Sequence, residues 1–473
     1  MIEGAGVAVG ALDWLLLVER ELLAFSAFWF CVGLIDEFVV DLAWFGLRLT
    51  GRARTPRLPV GYGSQPLSGP AAVLLPAFGE AQVIGTTIAH MLATWPQREL
   101  TVYVGCYRND PATLDAAVRA IGDDRRVRLV TLAARGPTTK ADCLNRLYRA
   151  MATDEARRGV NFANVIMHDA EDMVHPCALQ AIDAALVMRD FVQLPVRPEP
   201  QPGSRWVAGT YADEFAENHA KGMVVRAALG AAIPAAGVGC GFSRAALAEL
   251  AQQRLLEGEV GPFAPECLTE DYELGLVMSR QGRGSAFLRL RDDAGTLVAT
   301  RSYFPNRLDA AVRQKTRWVH GIAFQGWERI GWTISPVEVW MALRDRRGPL
   351  TALVLAAAYL LLVLDVVLIA LHAFGKVDAL ELSTPLRLML LASFAGFVWR
   401  ASIRAVFAAR EYGWREGLFS VLRIPVGNII AIMAGRRAIV AYFRSLQDGR
   451  VTWDKTVHDA HPAFATVLQR AKA

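Results

Sequence analysis

Carboxylates recur at two places in this chain in arrangements that metal–phosphate chemistry and proton transfer both use. The stretch VIMHDAEDMVHP, residues 165–176, ends an apolar run in Asp169-Ala170-Glu171-Asp172. Oxygen ligands clustered at the end of a strand can hold a divalent cation, which can neutralise a diphosphate. The same acidic residues also suit a helix start, where the dipole favours negative charge. Taken alone, the stretch leaves both open. In LTEDYELG, residues 268–275, Thr269 is a good N-cap and Glu270, Asp271 and Glu273 fall in the first turn. Capping chemistry explains that pattern, and so does a general base at Asp271 with Glu270 beside it.

A third stretch, QKTRWVHG at 314–321, supplies cationic and aromatic groups. On a helix Gln314, Arg317 and Trp318 stand at i, i+3 and i+4 and share a face. An arginine fork can bind diphosphate oxygens, and an indole is a flat surface for a sugar. An aromatic, basic helix lying at a membrane interface would read the same way. Two further segments fit ligand contact. AGVGCGF, residues 236–242, is a glycine-rich loop whose Gly239, Cys240 and Gly241 would let backbone approach an acceptor; a tight turn is the plainer alternative. Lys140 and Asn145, in a helix opening after Gly136-Pro137, are candidates for donor phosphate or sugar. His168, His175 and His320 lie beside these motifs and are not read as metal ligands.

Some scaffold must bring these stretches together. Apolar runs Ala71–Pro76, Leu100–Tyr107, Val127–Leu132 and 164–169 alternate with helical stretches such as 80–95. Such alternation predicts a mainly parallel sheet with ligands at the carboxyl ends of its strands. The whole chain is 53% hydrophobic, with a mean hydropathy of +0.26. That is too apolar for an ordinary soluble enzyme, and the excess sits at the two ends. Residues 22–35, extendable to 40, can span a bilayer; Asp36, Glu37 and Asp41 in or beside it need partners. Residues 351–374 and 386–407 are two further spans, whereas 418–433, flanked by arginines, predicts one helix lying on the cytosolic face. Arg48, Arg52, Arg54 and Arg57 after the first span put the α/β region in the cytosol, and the loop between the later spans outside. The division expected is a transmembrane region at 1–57, a cytosolic α/β domain at 58–305 and interfacial helices at 306–346. Two spans at 347–410 and a cytosolic interfacial helix with tail at 411–473 complete it. The formal charge of +5 comes from arginines beside the apolar segments, so the partner they indicate is a membrane and not a nucleic acid. Six cysteines without CxxC or zinc spacing predict buried thiols in a reducing compartment.

In order along the chain these motifs resemble those of the processive family 2 glycosyltransferases, such as cellulose and hyaluronan synthases. Pro76-Ala77-Phe78-Gly79-Glu80 stands at the family's first-strand motif, Asp169-Ala170-Glu171 at its DxD, Thr269-Glu270-Asp271 at its TED and Gln314-Lys315-Thr316-Arg317-Trp318 at its QxxRW. VGCYRND, TTKADCLN, MHDAEDMVHP and QKTRWVHG bring it nearer to the bacteriophage adsorption protein B-like glycosyltransferases of bacterial inner membranes. The resemblance implies a GT-A fold. It implies donor binding by Pro76, Phe78, Glu80, Asp169 and Arg317, and Mg2+ or Mn2+ on Asp169 and Glu171 with help from Asp172. It further implies Asp271 as base, and an acceptor held by Gln314 and Trp318. A UDP-sugar is the donor it suggests, although Gly105 and Cys106 replace the family's base-recognising carboxylates, with Asn109 and Asp110 further on. The DxD is here DxE. The expected function is inverting transfer onto a growing glycan, or onto a lipid-linked acceptor, with an outer-membrane export partner. An inert receptor or secretion scaffold is the non-enzymatic alternative. Many relatives carry a regulatory domain for a cyclic dinucleotide beyond this point; ending at 473, the chain is expected to take such regulation from a separate protein.

Overall fold

The computed structural model describes residues 11–201, 203–374, 381–448 and 460–463. The chain opens with a 39-residue helix, α1 (Ala11–Leu49). Then come β1 (Ala71–Pro76), α2 (Ile84–Thr94), β2 (Leu100–Tyr107), α3 (Pro111–Ile121), β3 (Val127–Leu132), α4 (Lys140–Arg158) and β4 (Asn164–Met167). They lead into α5 (Ala178–Leu186), β5 (Phe191–Gln193), β6 (Val196–Pro198), α6 (Val207–Glu217), α7 (Met223–Ala228), β7 (Cys240–Ser243), α8 (Arg244–Leu256) and α9 (Glu270–Arg280). Strands β8 (Ser285–Phe287) and β9 (Thr300–Ser302) precede α10 (Leu308–Val319), α11 (Gly326–Ile330) and α12 (Pro336–Arg346). The chain continues with α13 (Gly348–Ala373), α14 (Thr384–Tyr412), α15 (Trp414–Leu422) and α16 (Ile424–Asp448).

Seven strands form one sheet in the order β3-β2-β1-β4-β7-β5-β8, in which β7 alone runs antiparallel to its neighbours. A parallel sheet is covered on both faces, so its strands read as unbroken apolar runs. Strand β1 shows how: Ala71, Val73 and Leu75 pack with Ile84, Ile88 and Met91 of α2, and Ala72 and Leu74 pack with Leu144, Leu147 and Met151 of α4. The strand's period of two thus feeds two cores. Strand β4 ends at Met167, two residues short of the expected 169, so His168 and Asp169 already belong to the loop. Residues 58–70, whose glycine, proline and serine content by itself predicts a linker, lie against the domain: Gln97 Nε2 donates to Gly63 O at 2.7 Å, and Ser68 N donates to Asp183 at 2.7 Å.

Among the described residues four helices are long and apolar enough to cross a membrane: 12–49, Gly348–Ala373, Thr384–Tyr412 and 424–447. Helix α1 packs against both α13 and α14. Three acidic residues in its second half find cationic and indole partners. Asp36 accepts from Trp340 Nε1 at 2.7 Å and pairs with Arg344 and Arg347. Glu37 pairs with Arg344 at 3.0 Å and Arg347 at 2.6 Å. Asp41 pairs with Lys221 and accepts from Trp399 Nε1 at 2.8 Å.

The single helix expected at 418–433 is two helices. They meet at Arg423, which is buried and held by Asp213 at 2.6 Å and Glu416 at 2.7 Å. A buried guanidinium must be paired, and reaching Asp213 ties this junction to α6. The stretch 308–332, whose basic and aromatic pattern predicts one helix, likewise breaks, into α10, a π-helical turn at 320–325 and α11. The loop between α13 and α14 falls partly at 375–380, and the tail largely at 449–459 and 464–473, outside the described residues. Five of the six cysteines are buried and none is bonded to another.

Candidate active site

The loops after β1, β3 and β4, the end of β2, the segment before β7, the start of α9 and one face of α10 converge on a cleft of about 740 Å³. This is the carboxyl edge of the parallel strands, where an open α/β sheet leaves room for a ligand. Pro76, Phe78 and Glu80 from the β1 loop line it, as do Lys140, Asp169, Glu171, Glu270, Asp271, Gln314, Arg317 and Trp318. Residues scattered over some 240 positions therefore meet as the motif order implied.

At its centre Lys140 Nζ, on the first turn of α4, pairs with Asp169 Oδ1 at 2.6 Å. It also reaches Gly237 O at 3.5 Å. Burial works against the ammonium charge, but Asp169, Glu270 and Asp271 outweigh it and drive its pKa up. Burial, with Asp271 alongside, pushes Glu270 up to about 8. Asp271 is also raised, first by burial, with Lys140 as the main opposing influence. Lys140 is thus the cation that lets three neighbouring carboxyls share one site. Thr269, expected as a side-chain cap, makes no cap hydrogen bond; its hydroxyl is buried without a partner. Asp271 Oδ1 instead accepts from Tyr272 N at 2.8 Å, which orients the carboxylate.

Helix α10 presents Gln314, Arg317 and Trp318 to the cleft and packs Ala311 and Val312 against Ile430 of α16. Trp318 stands edge-on to Tyr211, with ring centroids 6.0 Å apart, beside Phe215 and Phe304. The cleft continues toward the apolar helices, past Glu217 and Lys221 to Arg347, Thr351, Arg400, Arg404 and Ala434.

Several expected site residues do other work. Asn145 is buried, and its amide is spent on Phe263: Nδ2 donates to Phe263 O at 2.8 Å and Oδ1 accepts from Phe263 N at 3.1 Å. It clips a loop and touches no donor space. Asn109 does the same for Gly136, at 2.7 and 2.8 Å. Asp110 caps α3 through Thr113 N and accepts from Gly79 N, bracing the β1 loop. Gly239 precedes β7, and Cys240 and Gly241 lie within it, between β4 and β5, where all three are buried. Their smallness admits Thr300 and Ile182 rather than an acceptor. Asp172 lines the cleft, but its Oδ2 is spent inside the turn: it meets His168 Nδ1 at 2.8 Å and accepts from Asp169 N at 3.0 Å. It shapes the acidic turn that carries Asp169 and Glu171.

Gly237 was missed, although it sits in the same glycine-rich stretch. Its φ of +74° is left-handed, and a side chain there would run into Asp271 and Lys140. The signal was the glycine two positions earlier than those chosen. Tyr107 was missed as well; it lines the cleft, meets Phe78 edge-on at 5.3 Å and bonds Thr138 Oγ1 at 2.6 Å. The membrane-side arginines gave no signal beyond their flanking charge.

Comparison with known proteins agrees with this geometry. The chain is 33% identical over 471 residues to bacteriophage adsorption protein B of Escherichia coli K12, and equally to bacteriophage N4 adsorption protein B of Escherichia coli O157:H7. Each alignment covers 94% of this chain and 63% of the relative, so the chain spans less than two thirds of their length. The solved mannosyltransferase PcManGT from Pyrobaculum calidifontis, in complex with GDP-Man and Mn2+, superposes with a TM-score of 0.50 at 16% identity. That match covers 88% of this chain and 99% of that one, a likeness of GT-A fold. The family described as "Glycosyltransferase like family 2" matches residues 69–321, the stretch that holds every motif of the cleft, and the chain belongs to that family.

Proposed function

We propose that the chain transfers a sugar from a nucleoside-diphosphate donor to an acceptor hydroxyl with inversion, at the cytosolic face of a bacterial inner membrane. The acceptor is a growing glycan, destined for export. The observation that carries this reading is the meeting of Lys140, Asp169, Asp271, Arg317 and Trp318 in one cleft. Asp169 and Glu171 both line the cleft and offer oxygen ligands only. That suits a hard cation held by one or two carboxylates plus substrate phosphates. Mg2+ or Mn2+ held there would neutralise charge on the donor diphosphate.

The chain's own groups do the rest. Phe78 and Tyr107 offer the nucleobase an aromatic edge, and a UDP-sugar is the donor class favoured. Lys140 exchanges its carboxylate partner for donor phosphate. The acceptor oxygen forms a bond to the anomeric carbon as the carbon–phosphate-oxygen bond breaks. Asp271 takes the acceptor proton, and Arg317 meets the charge that grows on the departing diphosphate. Trp318 and Gln314 orient the acceptor.

The orientation rests on the arginines after α1, with the domain inside and the turn between α13 and α14 outside. Helix α16 is read as interfacial although it is long enough to span. It packs along α13 on one side, with Asn428 Nδ2 donating to Tyr359, and against the α/β domain and its interfacial helices on the other, from Gly427 beside Thr210 to Tyr442 bonded to Glu328. The cleft's extension to Thr351 and Arg404 also suits one transfer to a lipid-linked acceptor, which product length distinguishes.

The test is purified Asp271→Asn in detergent, with radiolabelled nucleotide sugars. Product formation should fall about 10²-fold, the range of a lost general base, with donor affinity retained by calorimetry. A variant that transfers at the wild-type rate would reduce Asp271 to a helix-start residue. Wild-type protein that turns over no nucleotide sugar would favour the inert scaffold.

A further inference from the structure

The acidic turn 169–175 carries the two carboxylates assigned to the cation, yet its backbone is held from behind by groups no motif includes. Thr87 Oγ1 donates to Ala170 O at 2.5 Å, His90 Nε2 meets Val174 O at 3.0 Å, and Trp95 Nε1 donates to His175 O at 3.0 Å. These three come from α2 and its end. The carbonyl between them, Asp172 O, is taken by His461 Nε2 at 3.2 Å, a residue 289 positions further on. His461 is 1% exposed. Its Nδ1 accepts from Ala463 N at 3.1 Å, so Nδ1 carries no proton there and Nε2–H is the donor. The tail residues 461–463 thus fold into a turn that aims one N–H at the acidic turn's central carbonyl.

The position of that carbonyl matters because Asp172 is the hub of the turn. Its side chain fixes the backbone N–H of Asp169, and its neighbour in sequence is Glu171. A buried carbonyl left without a donor is costly, and a shift of the Asp172 backbone toward another donor would draw its carboxylate off Asp169 N and displace Glu171, to which it is joined.

We propose that His461 is a positioning residue for the cation site, a clasp through which the docked tail sets the aim of Asp169 and Glu171. The proposal rests on the glycosyltransferase reading, since only there does the aim of these carboxylates matter. It joins residues 460–463 to the active site, and any partner that draws them away would weaken cation and donor binding together.

Mn2+ binding to the full chain in detergent, followed by electron paramagnetic resonance with a nucleoside diphosphate present, tests this without turnover. His461→Ala should raise the Mn2+ dissociation constant about tenfold, as loss of a group supporting metal ligands does. His461→Gln, whose amide N–H can reach the same carbonyl, should stay within about twofold of wild type. Wild-type affinity in His461→Ala, or equal weakening in both variants, overturns the clasp and leaves the functional reading standing. Wild-type protein that binds no Mn2+ with any nucleoside diphosphate overturns the cation site and the clasp with it.

Discussion

Gly237→Ala tests whether the site depends on one close approach. The backbone there has φ +74°. An added Cβ would stand 3.0 Å from Lys140 Nζ and 3.2 Å from Asp271 Cγ, and nearer still to Asp271 Oδ2. The left-handed conformation alone costs about 1–2 kcal/mol for an L residue. Gly230 has the same kind of backbone, φ +70°, with nothing within 4 Å of its added Cβ. Gly230→Ala therefore carries the strain without the collision, and the difference between the variants isolates the collision. To relieve it the Asp271 carboxylate must retreat by roughly 1 Å, a misplacement worth about 10²-fold in rate. Both variants should melt lower in detergent, Gly237→Ala by at least as much as Gly230→Ala. Only Gly237→Ala should lose transfer, by about 10²-fold in kcat at saturating donor. Equal activity in the two variants would show that Asp271 and Lys140 need not stand where they do.

Two more outcomes are expected. Glu270 is pushed up to about 8 from an ordinary 4.5 by burial and Asp271, so the folded chain keeps a proton that the unfolded chain releases. Its stabilising contribution is full below about pH 4.5 and is lost as pH rises through about 8. The metal-free melting midpoint should fall between those values and the slope should flatten in Glu270→Gln, whereas parallel slopes would deny the shift. For topology, a cysteine introduced at position 379 should react with an impermeant reagent outside intact cells, and a C-terminal reporter should read as cytosolic. Protection of position 379 would overturn the hairpin of α13 and α14.

The strands nearest the site were legible because their cause is local. Strands β1, β2 and β3 have the expected ends; β1 and β2 are buried on both faces and stop where their apolar runs do, and the edge strand β3 keeps its apolar positions between Val127 and Leu132. That Lys140, Asp169, Asp271, Arg317 and Trp318 share one cleft was legible too, because their motifs stand in an order that resembles one family's. The apolar helices 12–49, 348–373 and 384–412 follow from composition and length. What composition cannot specify is the far partner of a polar group. Asn145 and a sugar-binding asparagine look alike until Phe263 arrives from 118 positions away to take its amide. Asp172 reads as a third ligand until His168 and the Asp169 N–H turn it inward. Arg423 reads as a charge on a surface helix until Asp213 of α6 draws it into the interior and splits that helix in two. Gly237 differs from Gly239 and Gly241 only in what faces it, Asp271 and Lys140 on one side and packed interior on the other. A residue's type sets which bonds it can make; only the folded chain brings up the atom that competes for them.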